Sequence, residues 1–240
     1  MLYNIMSNMI DNIPSSAIPW LFGAIVFLTF SIRATINYKK LHNPLSLYFA
    51  ITGYSAFTAF TMWSIPLILT TNLDILLITN IVGDLFLYIM FVVQIVILHY
   101  LALKNKVPLK VVLVPAILLS IVGWLSHCYG YIVNGISISD GVFVYELPLI
   151  ANIIQLIFLT FVFAVGTSLI KQIKRQTDKQ AKIVLLSIGV LYMLSAIGGA
   201  LNVILSGGSN QSPIIITSYF IGFILFTLIF VSIRLLRSIK

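Results

Sequence analysis

Charged side chains are scarce in this chain. It has 14 Lys plus Arg and 6 Asp plus Glu among 240 residues, or 8%. A soluble domain carries about 25%, so a core of this size could not be covered with polar surface. The shortage excludes a soluble catalytic domain, a nucleic-acid reader and a secreted disulfide scaffold. Cysteine is nearly absent as well. Cys128 stands alone, which excludes an intrachain disulfide, and no Cys/His spacing suits a metal. The first 15 residues hold no Lys or Arg, so no segment reads as a cleaved signal peptide.

Apolar residues make up most of what is there: 60% of the chain, with a mean hydropathy of +1.10. A spanning helix needs about 20 apolar residues, within a range of about 17–25. Seven stretches qualify: 16–35, 44–69, 73–103, 108–125, 146–170, 182–205 and 213–235. The expectation is an all-α polytopic membrane protein, one domain over 1–240, built as a seven-helix bundle. Asn72 suits the N-cap of the third helix, with Asp74 in its first turn. Ser212-Pro213 suits the start of the seventh, and Ser206 to Asn210 reads as a flexible turn.

The net charge of +8 is distributed on one side. Lys39 and Lys40 follow helix one, with Arg33 near its end; Lys104, Lys106 and Lys110 lie between helices three and four. Lys171, Lys174, Arg175, Lys179 and Lys182 lie between five and six, and Arg234, Arg237 and Lys240 follow seven. The opposite side holds Asp11, Asp74, Asp140 and Glu146. The positive-inside rule then places the N-terminus outside and the C-terminus in the cytoplasm. Trp20, Trp63 and Trp124 fall near outer helix ends, where an interfacial aromatic belt is expected. Tyr129, Tyr131 and Tyr145 read at the same level, and Tyr38, Tyr48 and Tyr100 at the opposite boundary. Between helices four and five, Asn134-Gly135 suggests a small hairpin lid.

Asp84 is the one acidic residue deep within a span. Ten residues after Asp74, it lies about 15 Å further along the helix, near mid-membrane. An intramembrane carboxyl is a functional candidate because its charged form is costly unless paired or hydrated. Asn80, Asp84 and Tyr88 recur every fourth residue and share one face. Asn152 and Gln155 on helix five, and Asn202 and Tyr192 on helix six, can converge with them as a polar ligand pocket rimmed by Glu146. Each amide has an alternative role as an interhelical hydrogen bond, as does Gln94. For Asp84 the expected partners are Asn152 or Asn202, with no opposite charge at its depth.

No cofactor is implied. Helix seven holds no lysine for a retinal Schiff base, and His42, His99 and His127 read at different depths, which disfavours haem. No metal ligand set and no Ser–His–acid triad is visible, so no catalytic residue is assigned and an enzyme is not expected. No internal repeat is visible, which weighs against an inverted-repeat transporter.

From the fourth helix onward, the chain resembles the seven-helix sensor region at the N-terminus of many prokaryotic histidine kinases. The residues that carry the likeness are Val114-Pro115-Ala116-Ile117, the linker Lys171-Gln172-Ile173-Lys174-Arg175, Lys179-Gln180-Ala181-Lys182, and the exit segment Phe223 to Arg237. The family continues into a signalling domain, whereas this sequence ends at Lys240. The resemblance implies a sensor in a prokaryotic cell membrane that binds a small ligand outside. It would signal to a cytoplasmic or membrane partner through Lys171, Lys174 and Arg175. Two other expectations stand beside it: a small-solute or proton-coupled transporter with Asp84 as relay, and a non-catalytic subunit of a larger membrane complex.

Overall fold

The computed structural model describes residues 17–104, 106–139 and 142–206. Six long helices account for nearly all of them: α1 (Ala17–Leu41), α2 (Pro44–Leu69), α3 (Leu73–Leu98), α4 (Leu109–Asn134), α5 (Leu149–Gln172) and α6 (Lys179–Ser206). A π-helical turn, His99–Leu103, prolongs α3, and a 3-10 turn, Ile173–Arg175, prolongs α5. Two short strands, β1 (Ile136–Ser139) and β2 (Val142–Tyr145), pair antiparallel between α4 and α5. The expected seventh helix at 213–235, its cap, the turn before it and the basic residues after it lie outside the described residues, as do Asp11 and Asp140.

Five of the helical segments are long and apolar enough to cross a membrane: Ala17–Leu41, Leu73–Leu103, Leu109–Asn134, Leu149–Arg175 and Ala181–Leu205. The chain is therefore an integral membrane protein with its apolar helices in contact with lipid. The sixth helix, α2, has 26 residues and no charged side chain, but Thr, Ser and Gly dilute its apolar character. It is sandwiched between α1 and α3, where Thr52, Gly53, Ser55, Ala56 and Ala59 are buried. Small side chains of this kind let helix backbones approach closely within lipid. Neighbours in sequence are neighbours in space, and α3 also packs on α5, which puts α3 at the centre.

Helix boundaries follow local chemistry. The Asn72 side chain accepts from the amides of Asp74 and Ile75, capping α3 as expected. Asp178 accepts from Ala181 N, so α6 starts three residues before the expected 182. The largest difference is in α4, which continues past the expected 125 to Asn134. His127 and Tyr131 look like loop residues by hydropathy, yet both are buried and bonded inside the bundle. Gly135, with φ 78, stops the helix. Asn134-Gly135 is thus a helix terminus, and the expected hairpin begins after it at Ile136.

The aromatic belt also needs correction. Trp20 is buried, packed on Phe60 and Trp63 with both centroid distances 5.1 Å. Trp124 donates to Ile81 O at 2.9 Å, and Tyr131 and Tyr145 pack edge to face in the interior. The Trp124 indole and the Tyr131 phenol find protein acceptors there, whereas Tyr129 points outward. The three connections α1–α2, α3–α4 and α5–α6 lie at one end of the bundle, and these connections with the helix ends they join carry the described basic residues except Arg33, further back in α1. The hairpin lies at the other.

Candidate functional site

Asp84 lies eleven residues into α3, about 16 Å from its first residue by helical rise. His127 lies seven residues before the end of the antiparallel neighbour α4, about 10 Å in. Their side chains meet: His127 Nδ1 donates to Asp84 Oδ2 at 2.8 Å. Tyr131, one turn further along α4, donates its hydroxyl to the same oxygen at 2.6 Å. All three are at most 2% exposed. Short contacts of this type are the strong class of hydrogen bond when one partner is a carboxyl oxygen. In membrane they also remove the cost of an unpaired acid.

The helices make room for this arrangement. Gly123, one turn before His127, lies against the Tyr88 ring, and a Cβ there would be 2.6 Å from the ring's Cε1, Cζ and Oη. Tyr88 in turn packs edge to face on His127, with centroids 5.4 Å apart. Gly83, immediately before Asp84, lies under the Trp63 indole nitrogen and admits that ring to the same wall. With Nδ1 committed to Asp84, the free ring nitrogen of His127 is Nε2.

A cavity of about 180 Å³ adjoins this cluster. Its lining runs from Trp20 and Tyr145 near the hairpin end, past Asp84 and His127, to Gln94 and Tyr192 deeper in the bundle. Below Gln94, Phe49, Ile95, Ile97, Val165 and Leu169 are buried in apolar packing toward the basic end. Among the described residues, five lining side chains keep a buried polar atom without a hydrogen-bond partner. They are Thr52 Oγ1, Trp63 Nε1, Gln94 Oε1, His127 Nε2 and Gln155 Oε1. Buried polar atoms left unsatisfied cost about 1–3 kcal/mol each, so the wall of this cavity is a costly one to build.

The residues singled out from sequence separate into two groups. Asp84, Gln155, Tyr192 and Asn202 line the cavity together. Tyr192 accepts from Gln94 Nε2 at 3.2 Å. Asn80, Tyr88 and Asn152 do not line it. Asn80 donates to Leu76 O, one turn back on its own helix, and Tyr88 packs between His127, Phe91 and Phe158. Asp84 turns inward, but its partners come from α4 rather than from α5 or α6. Lys171, Lys174 and Arg175 are exposed at the basic end, away from the cavity.

Sequence reasoning passed over His127 and Tyr131 as functional residues. A signal for them exists: Ala116, Ser120, Gly123, His127, Gly130 and Tyr131 are the buried positions of α4, at helical spacing in a stretch otherwise rich in Val, Leu and Ile. Among the described residues no cluster of His, Cys, Asp and Glu is arranged to hold a metal. In comparisons with known proteins, no family model matches the chain, and neither a curated protein nor a solved structure matches it.

Proposed function

We propose that this protein is a receptor-like membrane sensor that binds a small ligand between its helices and signals through its basic end. The observation that carries the reading is a cavity of about 180 Å³ whose wall includes Asp84, His127, Gln94, Gln155, Tyr192 and Asn202. The lining begins near the hairpin and stops short of the basic end, where buried apolar side chains fill the bundle. A cavity placed toward the hairpin end suits binding and release on that side. In this reading the chain has seven spans, the hairpin lies outside, and the basic end lies in the cytoplasm of a prokaryotic cell. A partner docks on the exposed Lys171, Lys174 and Arg175, and the protein is not an enzyme. The likeness to kinase sensor regions supports this assignment by topology and by the basic linker.

A second reading is supported by a different observation. A buried carboxyl, imidazole and phenol in hydrogen-bond contact is also what a proton relay requires. Proteoliposomes with an internal pH dye separate the two. Sensing predicts no protein-dependent proton flux under an imposed pH gradient. A flux abolished by Asp84→Asn would establish proton-coupled transport instead. The subunit reading draws on an apolar groove of about 250 Å³ between α3 and α4, lined by Leu85, Ile89, Ile117 and Ile121 among others. Lipid fills such a groove equally well.

A further inference from the structure

Helices α1 and α6 flank the cavity without packing on each other. Among the described residues, α1 packs on α2, and α6 packs on α5 and its 3-10 extension. Phe49 of α2 bridges the interval at its floor, edge to face with Phe30 of α1 at 6.0 Å and with Tyr192 of α6 at 6.3 Å. Toward the hairpin end, Trp20 and Phe27 of α1 line the cavity from one flank, and Leu191, Ser195 and Asn202 of α6 from the other. Ser195 is exposed, close to mid-helix. An interval left open at this depth would bring hydrocarbon onto Ser195, Gln155 and Gln94, and polar groups in lipid are costly unless satisfied within the protein. The described helices therefore leave one wall of the cavity to be supplied.

Connection length and residue pattern select what supplies it. Helix α6 ends at Ser206 at the hairpin end, and the span expected at 213–235 begins seven residues later. Short connections join antiparallel neighbours, so that span lies beside α6. One flank of α6 is covered by α5, and the other faces α1 across the cavity. Wound as a helix, 213–235 carries Tyr219, Phe223, Phe226 and Phe230 on one face, at spacings of four, three and four. Ile221, Ile224 and Leu228 fall on the opposite face. The described helices sort these two classes of side chain. Their exposed large apolar residues are Ile, Leu and Val, with Tyr54, Tyr129 and Phe163 as the aromatic exceptions, whereas Phe49, Tyr88, Phe91, Phe158 and Tyr192 are buried. The same sorting turns the aromatic face of 213–235 inward and its aliphatic face to lipid. We propose that segment 213–235 crosses the membrane between α1 and α6 and completes the cavity with an aromatic wall of Tyr219, Phe223 and Phe226. The proposal rests on the seven-span reading above and adds to it the place and the inward face of the seventh span.

Paired cysteines in the full chain, in a Cys128→Ser background and in nanodiscs, test the placement. Ser195 lies eleven residues before the end of α6, about 16 Å in from the hairpin end. Phe223 and Phe226 lie ten and thirteen residues after Pro213, about 15 and 20 Å in from the same end. Under a short bifunctional thiol reagent, Ser195→Cys should join Phe223→Cys or Phe226→Cys within one chain. Val26→Cys on α1, half-buried and about 14 Å in, should join the same segment. Ile224→Cys has the matching depth and the opposite face, and should join Ser195→Cys at less than about a tenth of that yield. Ile121→Cys, exposed on α4, should join none of them. Two phenylalanine positions guard against one substitution preventing folding, which a single monodisperse species in detergent reports. Joining to Ile121→Cys, joining only between chains, or no joining to Ser195→Cys and Val26→Cys would overturn the placement while the seven spans stand. Equal yields from Ile224→Cys and Phe223→Cys would overturn the inward face. Free reaction of Phe226→Cys with a membrane-impermeant thiol reagent would remove the span itself, and the seven-span reading with it.

Discussion

His127 is bonded to Asp84 through Nδ1 and its residue lines the cavity, so its removal touches both the buried acid and the cavity wall. His127→Ala strips the partner from a buried acid, and breaking a buried pair in this way costs about 3–5 kcal/mol. Thermal or denaturant unfolding in a fixed detergent should report a loss in that range. Tyr131→Phe deletes one hydroxyl contact to the same oxygen and should cost less, about 1.5–3 kcal/mol. If His127→Ala unfolds no earlier than Tyr131→Phe, the imidazole is not the acid's main partner. Asp84→Asn keeps the size and an acceptor oxygen, so it should be milder than Asp84→Leu, which leaves both His127 and Tyr131 unpaired.

Helix α4 inverts the pattern of a soluble protein. On α4 the outward residues are Val111, Val114, Ile117, Leu118, Ile121 and Leu125, whereas Ser120, Gly123 and His127 face inward. Hydropathy therefore located the five helices that are long and apolar enough to cross a membrane, because lipid-facing surface dominates the average. It shortened α4 for the same reason: the segment from Ser126 to Asn134 carries inward polar and small residues that lower the average without ending the helix. Asp84 was legible as a lone intramembrane acid. Its partner was not, because pairing depends on the depth of His127, and that depth shifts with the end of α4. Close helix contacts were partly legible as small residues, and they give a prediction of their own. Gly166 on α5 and Gly189 on α6 meet so closely that a Cβ on Gly166 would lie 2.7 Å from Gly189 O. Backbone cannot swing away as a side chain can, so Gly166→Ala should destabilise the α5–α6 pair by about 1–3 kcal/mol. Gly135→Ala meets open space and strains only its own φ of 78. With ψ at 172 it lies in a region essentially reserved for glycine, so the change should cost about 1–3 kcal/mol through backbone strain alone. Gly166→Ala, in contrast, is tolerated only if the α5–α6 contact is looser than the packing argument requires, so a loss below about 0.5 kcal/mol there would contradict that argument.

At the scale of the molecule, charge and shape divide the bundle into two ends. The cavity lies toward the hairpin end, and the basic end is packed with apolar side chains beneath exposed Lys and Arg. The basic residues attract an anionic leaflet by roughly 1 kcal/mol each near the surface. Neutralising Lys174 and Arg175 should therefore weaken coupling to a signalling partner while leaving orientation to the remaining basic residues; unchanged coupling would reduce the linker to an anchor. Orientation itself can be read from Ser137→Cys at the hairpin and Thr177→Cys at the basic end, both exposed, in a Cys128→Ser background. The claim that the cavity opens to one side is tested most directly by extending that pair with Asn202→Cys in the cavity wall. With a small membrane-impermeant thiol reagent, the Asn202→Cys protein should react only from the side that labels Ser137→Cys. Reaction from the side that labels Thr177→Cys would contradict a one-sided sensor and establish an alternating pathway.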